Sequence, residues 1–236
     1  MKNILSSRSL IILLLLPQTV LIGQIKRESP IPDPSKILNN KEVPEEITYQ
    51  VALALLHYPE LQNVPIIFRF AGQTPPLTSR PKLLHAFKKA GNRTYIVTIS
   101  NKTKDSIAPI LFKNLDTKAQ IGVLGHELAH IADYEIMTSL ELLALPLKLL
   151  STRYVNRFEL ATDQSCIDHG LGDFLMHWST TVREKLGVDQ WKGYRQTFAG
   201  NRKKSSGKRY MDPEMIRQGM ALCKKYPYPL RQQCEP

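Results

Sequence analysis

The chain has no internal repeat and no low-complexity tract, which argues against solenoid, propeller and fibrous architectures. Long apolar runs are missing too. The one candidate, through Ile22, is interrupted by Gln18 and Thr19 and is too short to cross a bilayer comfortably. Nothing in the composition suggests a multi-span membrane protein. Cysteine is scarce, with three in 236 residues. Cys223 and Cys234 enclose a short tail and can pair to pin the C-terminus, leaving Cys166 as a buried thiol, although three cysteines do not fix a connectivity. No cysteine follows the N-terminal apolar stretch, which argues against a lipid-anchored lipoprotein. Acidic residues are also in deficit, 21 against 32 lysines and arginines.

What remains is the composition of a globular protein, 42% hydrophobic and 22% charged, with length for one domain of ordinary size. Lys2, Arg8 and the apolar stretch Leu10–Leu16 read as a secretory signal, with Pro17 breaking the helix and Gly23 offering a small residue before the cut. A retained anchor is the alternative. Loss of residues 1–23 takes Lys2 and Arg8 with it and lowers the net charge from +11 to +9. A secreted, periplasmic or cell-envelope location follows. A basic exported chain suits an anionic envelope surface or an acidic substrate at least as well as nucleic acid.

Residues 24–43, with Pro30, Pro32 and Pro34 at alternate positions, read as an extended linker before a domain at 44–236. A helix is expected from Pro44 to His57, then strands at Val64–Phe70 and Tyr95–Ser100, with a helix at Arg80–Ala90 between them. A long helix should run from Asp116 or Thr117 to at least Tyr134, with Ile121, Leu124, Leu128 and Ile131 as its apolar stripe. Further helices are expected at 155–167, 171–186 and from Pro213. Leu140–Leu150 is strongly apolar but too short to span and interrupted by Pro146. It reads as a buried core element or a wall of the cleft, with a membrane-dipping hairpin as the alternative. Residues 192–209 carry seven lysines and arginines and read as a solvated basic loop. With only Tyr194 and Phe198 interleaved, nucleic-acid binding there is weakly supported.

The chemistry lies in His126-Glu127-Leu128-Ala129-His130. Histidines four apart on a helix share a face, and two imidazoles so placed can reach one metal ion at about 2.1 Å. Because the apolar stripe lies largely on the other side, the two histidines should point away from the main buried face. Glu127 is rotated by about 100° from His126, where a base can take a proton from a metal-bound water. Gly122, Gly125 and Ala129 would let a neighbouring helix come close. The metzincin continuation fails, since Asp133 and Ile136 stand where Gly and His are required. Glu159 and Asp163, four apart on a second helix, can complete the site. Glu159 then acts as third ligand, and Asp163 accepts the other ring N–H of a liganding histidine, His126 for preference. Asp133, Asp168 and His169 are fallback ligands.

In these residues the chain resembles the gluzincin zinc metallopeptidases. The likeness rests on His126–His130 followed by Glu159-Leu160-Ala161-Thr162-Asp163, covers roughly residues 93–170, and leans towards the compact members. It implies a small zincin-like α+β domain, mostly helical, with a short sheet before the active-site helix. It also implies one zinc per chain, and a strand at Arg93–Ser100 that binds extended substrate. One departure is the 28 residues, 131–158, between His130 and Glu159, longer than in thermolysin-like enzymes. On this reading Glu127 is the general base acting on a peptide or protein substrate. Tyr210, His177 and His169 are candidate donors to the developing oxyanion, Tyr210 preferred. The competing readings are a catalytically silent, zinc-stabilised envelope-binding protein using the 192–209 loop, and an intracellular DNA-associated protease.

Overall fold

The computed structural model describes residues 34–72, 75–189, 191 and 208–223. The expected signal sequence, the first ten residues of the linker, most of the basic loop and Cys234 lie outside them.

A four-stranded mixed sheet carries one side of the fold. Its strands are β1 (Lys41–Glu42), β2 (Ile66–Gly72), β3 (Leu77–Pro81) and β4 (Tyr95–Lys102), in the order β1-β2-β4-β3. β1 and β4 run parallel to β2, and β3 runs antiparallel to β4. β4 is central and buried on both faces from Tyr95 to Ser100, as its β-branched run suits. The linker therefore ends earlier than the alternating prolines imply: Lys41 and Glu42 pair with Ile66 and Ile67. Residues 80–90 also differ from expectation. Arg80 and Pro81 finish β3, and only the 3-10 turn Leu83–Phe87 is helical. Pairing with β4 overrides the local helical spacing, and the prolines around β3 suit a strand bonded on one side only.

The helices are α1 (Pro34–Ile37), α2 (Thr48–Leu55), α3 (Thr117–Ile136), α4 (Ser139–Lys148), α5 (Thr152–Asp168), α6 (Gly172–Leu186) and α7 (Pro213–Leu222). The domain is thus the mostly helical α+β fold expected, its short sheet preceding the long helix. α3 starts where the Asp116 carboxylate accepts the Ala119 N–H at 2.9 Å. At its far end the chain turns and restarts at once, because Thr138 and Glu141 form a reciprocal capping box on α4.

α3 is the axis of the core. Ile121, Leu124, Leu128 and Ile131 are all buried, as their spacing requires. The opposite face is buried as well: His126 and His130 are only 2% and 7% exposed, not turned towards solvent. The cause is close helix packing. A Cβ at Gly122 would stand 2.2 Å from the Phe174 carbonyl oxygen of α6, and one at Gly125 would stand 2.6 Å from Leu171 Cδ1. Glycine at these two positions lets α6 and the α5–α6 corner pack closely on α3, with Trp178 of α6 beside His126, while Phe158 of α5 covers His130. Among the described residues Cys166 is a free buried thiol packed against Gly125, and Cys223 forms no disulfide.

A buried arginine ties the far corner together. Arg93 donates from Nη1 to the carbonyls of Tyr134 (2.7 Å) and Met137 (2.9 Å), and from Nε to Lys88 O (2.9 Å). Ser139 Oγ donates to the same Lys88 carbonyl at 3.0 Å. The end of α3, the start of α4 and the 3-10 turn at 83–87 are thereby held side by side.

Gly122→Ala tests the packing. Alanine favours a helix over glycine by about 1 kcal/mol, but a backbone carbonyl 2.2 Å away cannot rotate aside. We expect a net loss of about 3 kcal/mol in denaturant unfolding. A stabilised variant would contradict the close α3–α6 approach.

Candidate metal centre and its cleft

Two helices supply the site in matching register. His126 and His130 stand one turn apart on α3, and Glu159 and Asp163 one turn apart on α5. Glu159 Oε2 lies 3.2 Å from His126 Nε2 and 3.5 Å from His130 Nε2. One ligand atom from each of the three residues falls within 4.8 Å of the others, so the buried group can hold a metal ion. The separations support that reading. Two donors bound at about 2.05 Å to a tetrahedral ion stand about 3.3 Å apart, close to the observed values.

Each imidazole is fixed from behind. His126 Nδ1–H donates to Asp163 Oδ1 at 2.8 Å. Asp163 is almost wholly buried, and its second oxygen accepts the Met211 N–H at 2.7 Å. One carboxylate therefore orients a histidine and anchors the segment carrying Tyr210. His130 Nδ1 lies 3.1 Å from Thr162 Oγ1, whose own proton goes to the Phe158 carbonyl at 3.0 Å. The hydroxyl is left to accept from Nδ1–H, and both rings turn Nε2 towards Glu159. Thr162 was missed in the sequence. Its signal is its position: three residues past Glu159, it faces the same partner helix.

The electrostatics favour a cation at this point. Burial opposes a charge on His126, but Asp163 and then Glu159 outweigh it and raise its pKa well above the usual value. Burial likewise opposes ionisation of Glu159, yet hydrogen bonds with His126 and His130 hold its carboxyl well below the ordinary carboxylate range. Two buried carboxylates thus require positive charge between them, which a divalent ion supplies without a proton.

The centre opens into a cleft of about 270 Å³. Glu127 lines it beside the two histidines, with Tyr210, Trp178 and Phe158 among the aromatic walls. The Tyr210 ring lies 5.6 Å from that of His126, and Phe158 lies 5.1 Å from His130. Burial, then the charge of Glu159, push the Tyr210 phenol well above its usual pKa. It therefore keeps its proton and can donate a hydrogen bond. Trp178 and Arg209 also line the cleft. Lone aromatic and basic residues far along the chain give no spacing signal by which sequence could find them.

The strand beside the cleft is β3, not β4. Leu77, Thr78 and Ser79 line it, whereas Arg93–Ser100 is bonded to strands on both sides and offers no free edge. The remaining candidates lie elsewhere. His169 stacks on Tyr58 at 4.2 Å and contacts Glu60 at 2.7 Å. His177 faces Asp116 at 2.8 Å on the surface, and Asp168 accepts from Gln164 at 3.0 Å. Neither these residues nor Asp133 belongs to the ligand cluster.

Replacing Asp163 with Asn keeps the volume and removes the charge behind His126. Zinc affinity, measured by competition with a chromophoric chelator, should fall about 10–100-fold. Unchanged affinity would show that Asp163 does not orient the ligand. No family model, curated protein or solved structure matches the chain.

Proposed function

We propose that this chain is an exported zinc-dependent metallopeptidase that hydrolyses internal peptide bonds. The observation that carries the reading is the convergence of His126, His130 and Glu159 within 4.8 Å, with Glu127 on the same helix lining the same cleft. Two imidazoles and a carboxylate are the donor set of hydrolytic zinc sites that keep one coordination position open. The resemblance to gluzincins, in the spacing from His126 to His130 and from Glu159 to Asp163, points the same way.

When bound, zinc lowers the pKa of a coordinated water towards neutrality and polarises a carbonyl group. The chain's own residues do the rest. Glu127 accepts the water's proton on its carboxylate and returns it to the leaving amine nitrogen. Tyr210, protonated and beside His126, donates a hydrogen bond to the carbonyl oxygen as charge develops there. β3, bonded on one side only, offers backbone groups that align an extended peptide with the cleft. The aromatic walls exclude water and strengthen each of these interactions. Export is supported by the N-terminal sequence of Lys2, Arg8, Leu10–Leu16 and Gly23.

Glu127→Gln separates hydrolysis from metal holding. Zinc content should stay at one per chain while kcat for peptide cleavage falls by about 10²–10⁴-fold. Undiminished cleavage would overturn the mechanism, and a zinc-loaded parent without any cleavage would favour the silent binding protein. Tyr210→Phe should lower kcat by about 10²-fold with little change in zinc affinity. An unchanged rate would remove Tyr210 from the reaction.

A further inference from the structure

α4 carries two apolar stripes, of which only one is buried. Leu142 and Leu145 pack into the core. Leu140, Leu143, Leu147 and then Leu150 recur at helical spacing on another face, where Leu140, Leu147 and Leu150 are 80%, 71% and 75% exposed. Residues 140–150 are thus only half the buried element that composition suggested. The 3-10 turn beside α4 adds Leu83, Leu84 and Phe87, exposed by 78%, 73% and 65%. The Arg93 and Ser139 hydrogen bonds to Lys88 fix this turn against the start of α4, so the surface is built by two segments held in place. Scattered exposed leucines are ordinary, but a contiguous group of this size is not.

The rim of that surface is basic. Lys82, Lys88 and Lys89 flank the 3-10 turn, and Lys148 and Arg153 flank the end of α4; all five are exposed. The acids nearby are already engaged. Glu141 caps α4 through Thr138, and Glu135 accepts from the Tyr95 hydroxyl at 2.6 Å and the Gly91 N–H at 2.7 Å. Leucines ringed by lysines match a lipid surface: the apolar side chains enter the acyl boundary while the ammonium groups reach anionic headgroups. A second copy of the chain would instead bring the same basic rim against itself. Among the described residues no helix is long and apolar enough to cross a membrane.

We propose that the face formed by α4 and the turn at 83–87 docks this protein on an anionic lipid bilayer. Leu149, between Leu147 and Leu150, also lines the cleft, so the docked face adjoins the cleft's rim.

Tryptophan placed on the face reads docking directly. Leu147→Trp in the full chain, mixed with phosphatidylglycerol vesicles, should show a blue-shifted emission. It should also be quenched by acyl-chain-brominated lipid beyond the signal that Trp178 and Trp191 give in the parent. Leu140→Trp provides the same readout should the first variant fold poorly. The paired change Lys88→Glu and Lys89→Glu should weaken vesicle partition at low salt about tenfold, and pure phosphatidylcholine should bind far less. New tryptophans that do not respond would overturn the proposal, even if the chain sediments with the vesicles through another segment. So would leucine-to-serine changes at 140 and 147 that dissolve a dimer without altering partition. None of these readouts depends on hydrolysis, so failure here leaves the metallopeptidase reading untouched.

Discussion

Everything at the site depends on one helix–helix register. α3 and α5 each present two polar residues a turn apart, and the pairs meet so that His126 faces both Glu159 and Asp163 while His130 faces Glu159 and Thr162. A slide of one residue would turn these side chains through about 100° and scatter the donors. Burying carboxylates and imidazoles is costly unless each finds a partner, and here Asp163, Glu159 and both nitrogens of His126 and His130 have one.

The rest of the fold holds that register. The glycines at 122 and 125 let α6 and the α5–α6 corner close on α3, and α6 and α5 together bury the two histidines through Trp178 and Phe158. Asp163 then couples the centre to the chain's later part. Through Met211 it places Tyr210 beside His126, although 46 residues, 164–209, separate Asp163 from Tyr210. The sheet contributes from the other side, with β3 bordering the cleft and β4 locked in the middle.

Much of this was legible in the residues alone. The helix bearing the histidines, the cap at Asp116, the closeness allowed by Gly122 and Gly125, and the pairing of Asp163 with His126 all follow from spacing or from side-chain size. What was not legible depends on partners distant in the chain. β3 exists because β4 pairs with it, so its own sequence, bounded by prolines, gave no strand signal. His126 is covered by Trp178 of α6 and by Tyr210, and His130 by Phe158 of α5, none of which periodicity within α3 can reveal. The split character of α4, half core and half surface, needs the position of its neighbours as well as its pattern.

We propose that His126, His130 and Glu159 together bind one zinc ion. X-ray absorption on protein loaded with one zinc per chain tests it most directly. The expected shell has two imidazole nitrogens at about 2.0–2.1 Å, completed by oxygen donors to four-coordination, with the imidazole signal reduced by one in a His130→Ala variant. Sulfur scattering from Cys166 or Cys223, or an unchanged shell in that variant, would contradict it.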